Sequence, residues 1–540
     1  MKRLALVLFL LLAVAGGVVL MAGPGAQASP DVTITVNSTA DTNTRDAVMT
    51  LREAMLMATG ELAVTELTYD ECQQVSGASW SLYWCMSPVS IGTGTPESIV
   101  FHTGVFPPGS PATITLSSAL PTLDTGDDTI DGSSAGVIVD GVSKAFDCFD
   151  ITSANNTIKG LQIYKCMRGV AIHDGAQNNI IGGSSPGERN VISGNFIGVD
   201  IWGSGTNGNV VKGNYIGTDA TGTAALAGQA SGVHIKGFAS QNSVGGSSPG
   251  EGNIISGNSD AGVAMFGGGT NGNTVKGNFI GTNAAGSAAL PNGLGVKIYP
   301  APSGSPQNNT IGGTATGEGN VIAYNILYGV YVYGAVATGN SIRGNSIHSN
   351  EEKGIENDNG GNTELAPPTI IGFGSVMGTA CPNCTVDIYS DDEDEGRVYE
   401  GSTTANGAGN WSFAGSLDGP NVTATATDSS GNTSEFSPPV AVPEPLDSDG
   451  DGFLDAVELY LGTDPLDACP DGPTDDAWPL DVSKNGQISV VADVLNFRGR
   501  IGATPGAPNW WQRLDFNADR LISVVGDVLM YRGMIGETCT

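Results

Sequence analysis

The chain has 540 residues, 79 of them glycine, with 40% hydrophobic residues, 6% aromatic residues and a formal net charge of −33. That length supports several domains and a substantial buried core. An acid excess of this size leaves no basic face for a phosphate backbone, which argues against nucleic acid as a partner, and it also speaks against holding polyuronates by bulk attraction.

Lys2 and Arg3 precede an apolar run from Leu4 to Met21, and Ala26-Gln27-Ala28 stands ahead of Ser29. This is the pattern of a secretory signal over residues 1–28, the alternative being an uncleaved anchor. No second membrane-length segment comes after it, so the expectation is an exported protein, extracellular or at the cell surface, with no transmembrane segment in the mature chain. Eight cysteines in an exported chain can all pair. Cys72 and Cys85, Cys148 and Cys166, and Cys381 and Cys384 are close in sequence, while Cys469 and Cys539 flank the last domain.

Residues 29–94 begin with alternating Val32, Ile34 and Val36 and reach Thr50-Leu51-Arg52-Glu53-Ala54-Met55. Thr50 and Glu53 have capping-box spacing, and Leu51, Ala54, Met55 and Ala58 form one apolar face. The spacing predicts a short amphipathic helix that covers the open end of the repeated segment beginning near residue 95. Leu51-Arg52-Glu53-Ala54 resembles the CSLREA domain found ahead of secreted β-helices, with Met49 and Thr50 in place of the first two letters. The resemblance implies a cap in which Arg52 and Glu53 are structural.

From residue 95 to 365 the chain repeats itself. NGNVVKGNYIGTDATGTAAL at 207–226 returns as NGNTVKGNFIGTNAAGSAAL at 271–290, 64 residues later. A second string starting at Asn178 returns near Gln241 and again near Gln307. A third, glycine-valine-x-isoleucine-x, starts at Gly169, Gly198, Gly232, Gly262, Gly295 and Gly329, with minor replacements, and divides the period into turns of about thirty residues. Alternation puts its second and fourth positions inward and its third and fifth outward. Two further short strands per turn, separated by Gly-Asn corners and without helical periodicity, describe a coil of three strands. Asparagines recurring at strand starts are placed to stack coil on coil. The repeat resembles the right-handed parallel β-helix superfamily with a pectin-lyase-like fold, which hosts lyases, hydrolases, adhesins and inert scaffolds.

The outward positions carry the variable chemistry. The fifth reads His173, Trp202, Lys236, Phe266, Tyr299 and Tyr333. At the coil spacing of about 4.8 Å, flat ring faces in this column would accept a linear glycan, with Tyr331 of the neighbouring column beside them. The alternative is a loop that covers the ladder and makes it a second core. The third position brings Asp200 one coil from His234, with Lys236 alongside, and this is the acid/base cluster the columns offer for catalysis. Glu356 stands five coils from Asp200, roughly 24 Å at that spacing, too far for a glycosidase carboxylate pair. Polygalacturonase-like strings are missing except for Asp127-Asp128, and the coils lack the aspartate cluster of pectate-lyase-like enzymes.

Residues 366–442 change to short alternating strands, around Thr369-Ile370-Ile371, Val386 to Tyr389, Trp411-Ser412-Phe413 and Val422 to Ala426, which predicts a small β-sandwich. It is similar to bacterial Ig-like modules. Asp391 to Glu395 reads as a solvated hairpin loop between strands.

In residues 443–472, Asp447, Asp449, Asp451, Asp455 and Glu458 occupy positions 1, 3, 5, 9 and 12 of a calcium loop, with Gly452 at the turn and the Phe453 carbonyl at position 7. Every ligand slot is filled by a hard oxygen. The stretch resembles a thrombospondin type 3 or EF-hand-like repeat. Residues 473–540 hold a second repeat, Leu480 to Leu495 recurring 34 residues later as Leu514 to Leu529. The paired loops resemble a type I dockerin, each loop followed by a helix. The resemblance implies Ca2+ ligands at Asp481, Ser483, Asn485 and Ser489 and at Asp515, Asn517, Asp519 and Ser523. The closing acid is shifted by one residue in both copies, to Asp493 and Asp527, and Arg520 replaces the turn glycine.

The expected architecture is therefore mainly β. A right-handed parallel β-helix with an N-terminal cap is followed by a small β-sandwich and a small α-helical, calcium-binding, dockerin-like domain. The function it implies is binding of extracellular polysaccharide, with attachment to a cohesin-like protein through the dockerin-like end. The alternative is a polysaccharide lyase or glycoside hydrolase acting around Asp200, His234 and Lys236 and carried by the dockerin.

Overall fold

A computed structural model describes residues 32–540 except 82, 88–89, 143–144, 374–375, 442–447, 450, 452, 454, 468–476, 486, 517–520, 533, 537 and 539–540. The predicted signal segment, Cys469 and Cys539 lie outside the described residues. Among the described residues no helix is long and apolar enough to cross a membrane.

Three parallel sheets of ten, nine and eight strands run the length of the repeat, each strand pairing with its counterpart one coil away. Val210–Lys212, Tyr215–Ile216 and Ser231–Lys236 make one coil, and Val210, Tyr215 and Ser231 pair with Ser243, Ile254 and Ala261 of the next. The fold is a parallel β-helix. Val199, Val233, Val263 and Val296 stack in one buried column and Ile201, Ile235, Met265 and Ile298 in another, as the alternation requires. At the corners the chain turns too tightly for a side chain: Gly217 has φ +90°, and a Cβ there would stand 2.2 Å from the Ser256 carbonyl oxygen.

The corners are also where the asparagines sit, in three buried ladders. In one, Asn190, Asn214, Asn253, Asn278, Asn320 and Asn345 are linked by Nδ2 to Oδ1 hydrogen bonds of 2.8–3.0 Å. Each side chain works in both directions. Asn253 Nδ2 donates to Asn278 Oδ1 (2.9 Å) and to the Val211 carbonyl (2.8 Å), while its Oδ1 accepts from the backbone and side-chain nitrogens of Asn214 (2.9 and 3.0 Å). A buried corner needs a donor and an acceptor in one short side chain, and the amide supplies two donors on one atom and an acceptor on another without titrating.

The N-terminal end is closed as the capping-box spacing predicts. Strand β1 (Val32–Val36) pairs parallel with Glu97–Phe101, so this segment extends the first sheet of the helix. Helix α1 (Leu51–Ala58) buries Leu51, Ala54, Met55, Met57 and Ala58 against the helix core. Arg52 holds Asp41 through two bonds of 2.8 and 2.9 Å and donates to the Ser118 and Ala119 carbonyls, a structural role. Helix α2 (Tyr69–Cys72) and the antiparallel strands β2 (Ser79–Ser81) and β3 (Trp84–Met86) come next, joined by the Cys72–Cys85 disulfide. Cys148–Cys166 and Cys381–Cys384 also pair.

After the coils, Thr369–Phe373, Val376–Thr379 and Asn410–Phe413 form one antiparallel sheet, and Val398–Thr404, Thr385–Asp391, Asn421–Thr427 and Val440–Ala441 another. This β unit is not a pendant module. Arg343 of the last coils grips the buried Asp387 through two bonds of 2.7 and 2.6 Å, Ile342 N donates to Thr433 Oγ1 (3.0 Å), and Ile347 and Gly396 form a β-bridge. The run joins two antiparallel strands and exposes Asp392, Glu393 and Asp394 as read, but the structure corrects its two ends, because Asp391 and Glu395 are both buried. Asp391 accepts from the backbone nitrogens of Asp392, Glu393 and Arg397 and so folds the turn. Glu395 accepts from Asn350 N (3.2 Å) and Nδ2 (3.3 Å), taking the place of the next rung of a ladder.

The C-terminal part packs as one unit. Phe453 and Leu461 share a buried cluster with Trp478, Leu480, Ile488, Phe497, Phe516 and Tyr531. The helices expected after the repeated loops are single 3-10 turns, Val494–Phe497 and Val528–Tyr531. Each is stopped within a few residues, the first by Gly499 and Gly502 at positive φ.

Replacing Asn253 by Ala removes donors and acceptors from both neighbouring rungs and is expected to cost about 3 kcal/mol in denaturant unfolding. Asn253→Asp should be less stable at pH 7 than at pH 4, where a protonated carboxyl regains one donor. At the C-terminal end, burial pushes the Glu395 carboxyl up to about 7 from its usual 4.5. The folded protein then holds a proton that the unfolded chain releases between those values, so this contribution is complete below pH 4.5 and is lost as pH rises through 7. Glu395→Gln supplies a permanently neutral rung. It should flatten that dependence in melting curves recorded from pH 4 to 8, with a gain on the order of 2 kcal/mol at pH 8.

Candidate functional site

The outward face of the eight-stranded sheet carries the two predicted columns. Register runs Asp200, His234, Ala264, Lys297, Tyr331, Glu356 in one and Trp202, Lys236, Phe266, Tyr299 in the other. Among the described residues no element encloses them as a second core: Trp202, Tyr299, Tyr331 and Tyr333 are half-buried and Phe266 is exposed.

Asp200 is fully buried, and its Oδ2 accepts from Arg168 Nε (2.7 Å) and Lys236 Nζ (2.8 Å). The columns bring Asp200 and His234 together as expected, but His234 Nδ1 stands 3.7 Å from Asp200 Oδ1, beyond hydrogen-bond reach. Two cations engage the carboxylate as an ion-pair centre, and it is not free to orient the imidazole. Burial lowers the His234 pKa to about 4, opposed by attraction to Asp200, and the ring is neutral at neutral pH. Arg168 is not legible from the pattern. Two residues before Val170, it has the inward parity of the strand, yet it is half-exposed at the strand start and lies 4.6 Å over the Trp202 ring.

The aromatic column is a stack of rings. His173 and Trp202 lie parallel at 4.3 Å, Phe266 and Tyr299 at 6.2 Å, and Tyr299 and Tyr333 at 4.8 Å, with interplanar angles of 8–15°. Rings at the coil spacing cover each other's faces and turn their edges outward, so the ladder is a ridge and not the flat platform expected. Lys236 interrupts it. Tyr331 stacks on Tyr328 and donates its hydroxyl to Asp358 (3.1 Å).

Beside the ridge the third-position column dips at Ala264. The short side chain leaves a cavity of about 190 Å³ between His234 and Lys297, walled by Phe266, Tyr299 and Asp260. Lys297 Nζ is held by Asp260 at 2.9 Å. An apolar ring edge, a neutral imidazole, an ion pair and a tyrosine thus converge on a space smaller than the usual small-molecule pocket, which runs to about 300 Å³ or more. Such a notch suits one unit of a polymer lying across the coils.

The second concentration of chemistry is in the C-terminal unit. Carboxylate oxygens of Asp449, Asp451 and Glu458 lie within 4.8 Å of one another. Asp449 Oδ1 accepts from Asp451 N (3.1 Å) and Asp451 Oδ1 from Phe453 N (2.8 Å), which curls the loop, while the Phe453 ring anchors it in the core. Three convergent acids in a half-buried loop fit a hard divalent cation. Asp447 and the side chain of Asp455 lie outside the described residues.

In the repeated loops, Ser483 Oγ donates to Asp481 Oδ1 (3.0 Å) and Asn485 Oδ1 accepts from Gln487 N (2.9 Å). The shifted Asp493 reaches back into its loop, its oxygens accepting from Ser483 N (2.9 Å) and Ser489 N (2.7 Å). Asp527 accepts from Ser523 N (2.6 Å) in the same way, and Asp515 accepts from the Tyr460 hydroxyl (2.5 Å). The one-residue shift thus still aims the acid at the loop. Asn517 and Asp519 lie outside the described residues.

Residues 447–468 match the family described as Bacterial TSP3 repeat. Comparison with curated protein sequences gives no match. Similar solved structures include the mannuronan C-5 epimerase AlgE4 A-module of Azotobacter vinelandii, at 16% identity over 48% of this chain and 78% of that one, with a TM-score of 0.30. An alginate lyase from Paenibacillus sp. str. FPU-7 has 16% identity over 49% of this chain and 90% of that one, with a TM-score of 0.22. PfbA, a surface adhesin of Streptococcus pneumoniae, has 12% identity over 64% of this chain and 86% of its own, with a TM-score of 0.25. The β-helix stands on the parallel ladders themselves, and likenesses at these TM-scores carry no argument about activity.

Millimolar calcium should raise the melting temperature of the protein by several degrees over a chelator control, since an ion that binds only the folded loop stabilises it by mass action. Asp449→Ala and Glu458→Ala are expected to abolish most of that gain while leaving the calcium-free melting temperature little changed.

Proposed function

We propose that this is an exported, calcium-stabilised binding protein that holds a linear extracellular polysaccharide across the outward face of the eight-stranded sheet. The observation that carries the reading is the notch at Ala264 beside the aromatic ridge. The sugar lies against ring edges and the Lys297–Asp260 pair, with the chain following the coils. The ion pairs and hydroxyls along the face supply the polar contacts that orient a sugar. The TSP3-like loop takes Ca2+, and the repeated loops at Asp481 to Asp493 and Asp515 to Asp527 take further ions.

The C-terminal unit is the attachment end. Val490, Val491 and Leu495 are exposed in the first copy of its repeat, and Val524, Val525 and Leu529 at the same positions in the second. A duplicated apolar surface suits a protein partner, cohesin-like by the dockerin resemblance. A lyase reading is favoured by one observation, the neutral His234 beside Lys297, a base next to a cation that would hold a uronate carboxylate.

The test is a screen of the full chain against plant and microbial polysaccharides in calcium, following affinity, new reducing ends and unsaturated products together. Retained affinity without turnover is expected. Tyr299→Ala and the notch-filling Ala264→Phe should each weaken binding about tenfold, and Tyr299→Ala should also lower the melting temperature because it removes a ring from the stack. Turnover that His234→Ala abolishes would establish the lyase, and undiminished binding in both variants would remove the sheet face from the site.

A further inference from the structure

The N-terminal cap carries an aromatic cluster that neither the coil ladder nor the cap needs. Hairpin strands β2 and β3 pair Ser79 with Met86, Trp80 with Cys85 and Ser81 with Trp84. Directly paired residues share a face, so Trp80 lies with Cys85 on the side tied to α2, where it meets Tyr69 edge-on at 5.8 Å. Trp84 and Met86 point the other way and are 53% and 50% exposed. At the tip, Tyr83 is 89% exposed, and Tyr69 is 55% exposed. In a chain with 6% aromatic residues, one small hairpin and the helix beside it carry two tryptophans and two tyrosines, Trp80 and Tyr69 on one face, Trp84 on the other and Tyr83 at the tip.

The tip is also strained. Tyr83 has φ +83°, the left-handed region in which a hairpin turn ordinarily places glycine or asparagine. A bulky side chain there costs on the order of 1–3 kcal/mol, and among the described residues no ring contact offsets it, the side chain being nearly all in solvent. The strain holds an exposed ring outward on a hairpin anchored by Cys72–Cys85.

We propose that this hairpin is a second binding site, separate from the sheet face, that stacks on uncharged pyranose rings of a polysaccharide. The charge pattern selects the occupant. No lysine or arginine occurs from residue 53 to 143, where Glu66 and Asp70 are acids, and Arg45, which reaches α2, is paired with Glu53 (2.7 Å) and Glu71 (3.3 Å), so polyanions and anionic lipid surfaces find no free cation here. A second protein molecule needs about 800 Å² per partner, more than a hairpin of two three-residue strands supplies. A sugar ring needs little more than one indole face with hydroxyls beside it, and Ser79 and Ser81 are exposed on the same outward side as Trp84. Unlike the rings of the ladder, Trp84 and Tyr83 are not stacked on another ring among the described residues.

The experiment titrates the full chain, and the Ala264→Phe protein whose sheet notch is filled, with neutral hexasaccharides (cellohexaose, xylohexaose, mannohexaose) and with a hexauronate. Tryptophan emission and calorimetry are the readouts. At least one neutral hexasaccharide should bind both proteins equally and shift the emission, while the hexauronate leaves the emission unchanged. Trp84→Ala should weaken that binding at least tenfold with the fold intact. Tyr83→Gly should weaken it at least threefold while raising the melting temperature by a few degrees, a pairing that a purely structural role would not produce. Absence of neutral-hexasaccharide binding, equal affinity in Trp84→Ala, capture by zwitterionic vesicles, or a concentration-dependent dimer that Trp84→Ala dissolves would each overturn the proposal. Loss of binding in Ala264→Phe alone would assign the sugar to the sheet face and likewise overturn it.

Discussion

The structure depends on the buried amide of asparagine serving as donor and acceptor at once. In each ladder the Oδ1 of one rung receives the backbone and side-chain nitrogens of the coil before it, and its Nδ2 passes the interaction on. A buried backbone group left unpaired costs about as much as the hydrogen bond it lacks. Tight corners prevent the sheets from reaching those groups, so the ladders satisfy them. A slip by one residue would break every rung and turn the outward columns inward. The ladder therefore sets the register that brings Ala264 between His234 and Lys297, and Phe266 beside Tyr299.

A ladder of this kind must end somewhere, and a carboxyl group takes the place of the amide at each end of the coils. At the N-terminal end Asp128 stands one coil before Asn156, its backbone nitrogen donating to Asn156 Oδ1 (3.1 Å). Burial, with the adjacent Glu97, pushes the Asp128 carboxyl up to about 9. It is neutral at pH 7, and its Oδ2 accepts from Thr125 Oγ1 (3.3 Å). Glu395 has the same part at the other end, presented by the β unit to Asn350. Where the next coil is missing, a carboxyl group thus ends one ladder at each end of the coils, and the bonds that Glu395 accepts from Asn350 tie the β unit to the last of them.

Periodicity accounts for most of the fold that is legible in the sequence. Inward valine and isoleucine, corner asparagine and the outward columns are each written once per coil, so repetition separates them from chance and the structure returns them in the expected register. Long-range docking has no such repetition. Glu395 lies in an acidic run whose local composition reads as a solvated loop, and only the approach of Asn350 from 45 residues away explains its burial. Arg168 is missed because strand parity does not hold where the chain enters the strand at a corner. The C-terminal repeat misleads in another way: its two copies agree so closely that the helices of the resembled family are read into both, whereas both are single turns, the first followed by Gly499 and Gly502 at positive φ. The loop acids are legible because ligand spacing is local.

The same spacing that makes the aromatic column conspicuous also limits what it can do. Coils about 4.8 Å apart bring successive rings closer than the thickness of a sugar would allow between them, so the rings stack on one another and their faces are consumed by the protein. A repeated aromatic in a parallel β-helix contributes stability first and recognition only by its edge. Recognition must then come from where the repeat is broken. Ala264 shortens one column and opens a notch, Lys236 interrupts the other and ties it to the buried Asp200, and Asp260 holds Lys297 across the gap. The cap hairpin lies outside the coil spacing altogether, and its rings are free of that constraint. In a protein built by repetition, the residues that depart from the repeat are those that interact with something outside it.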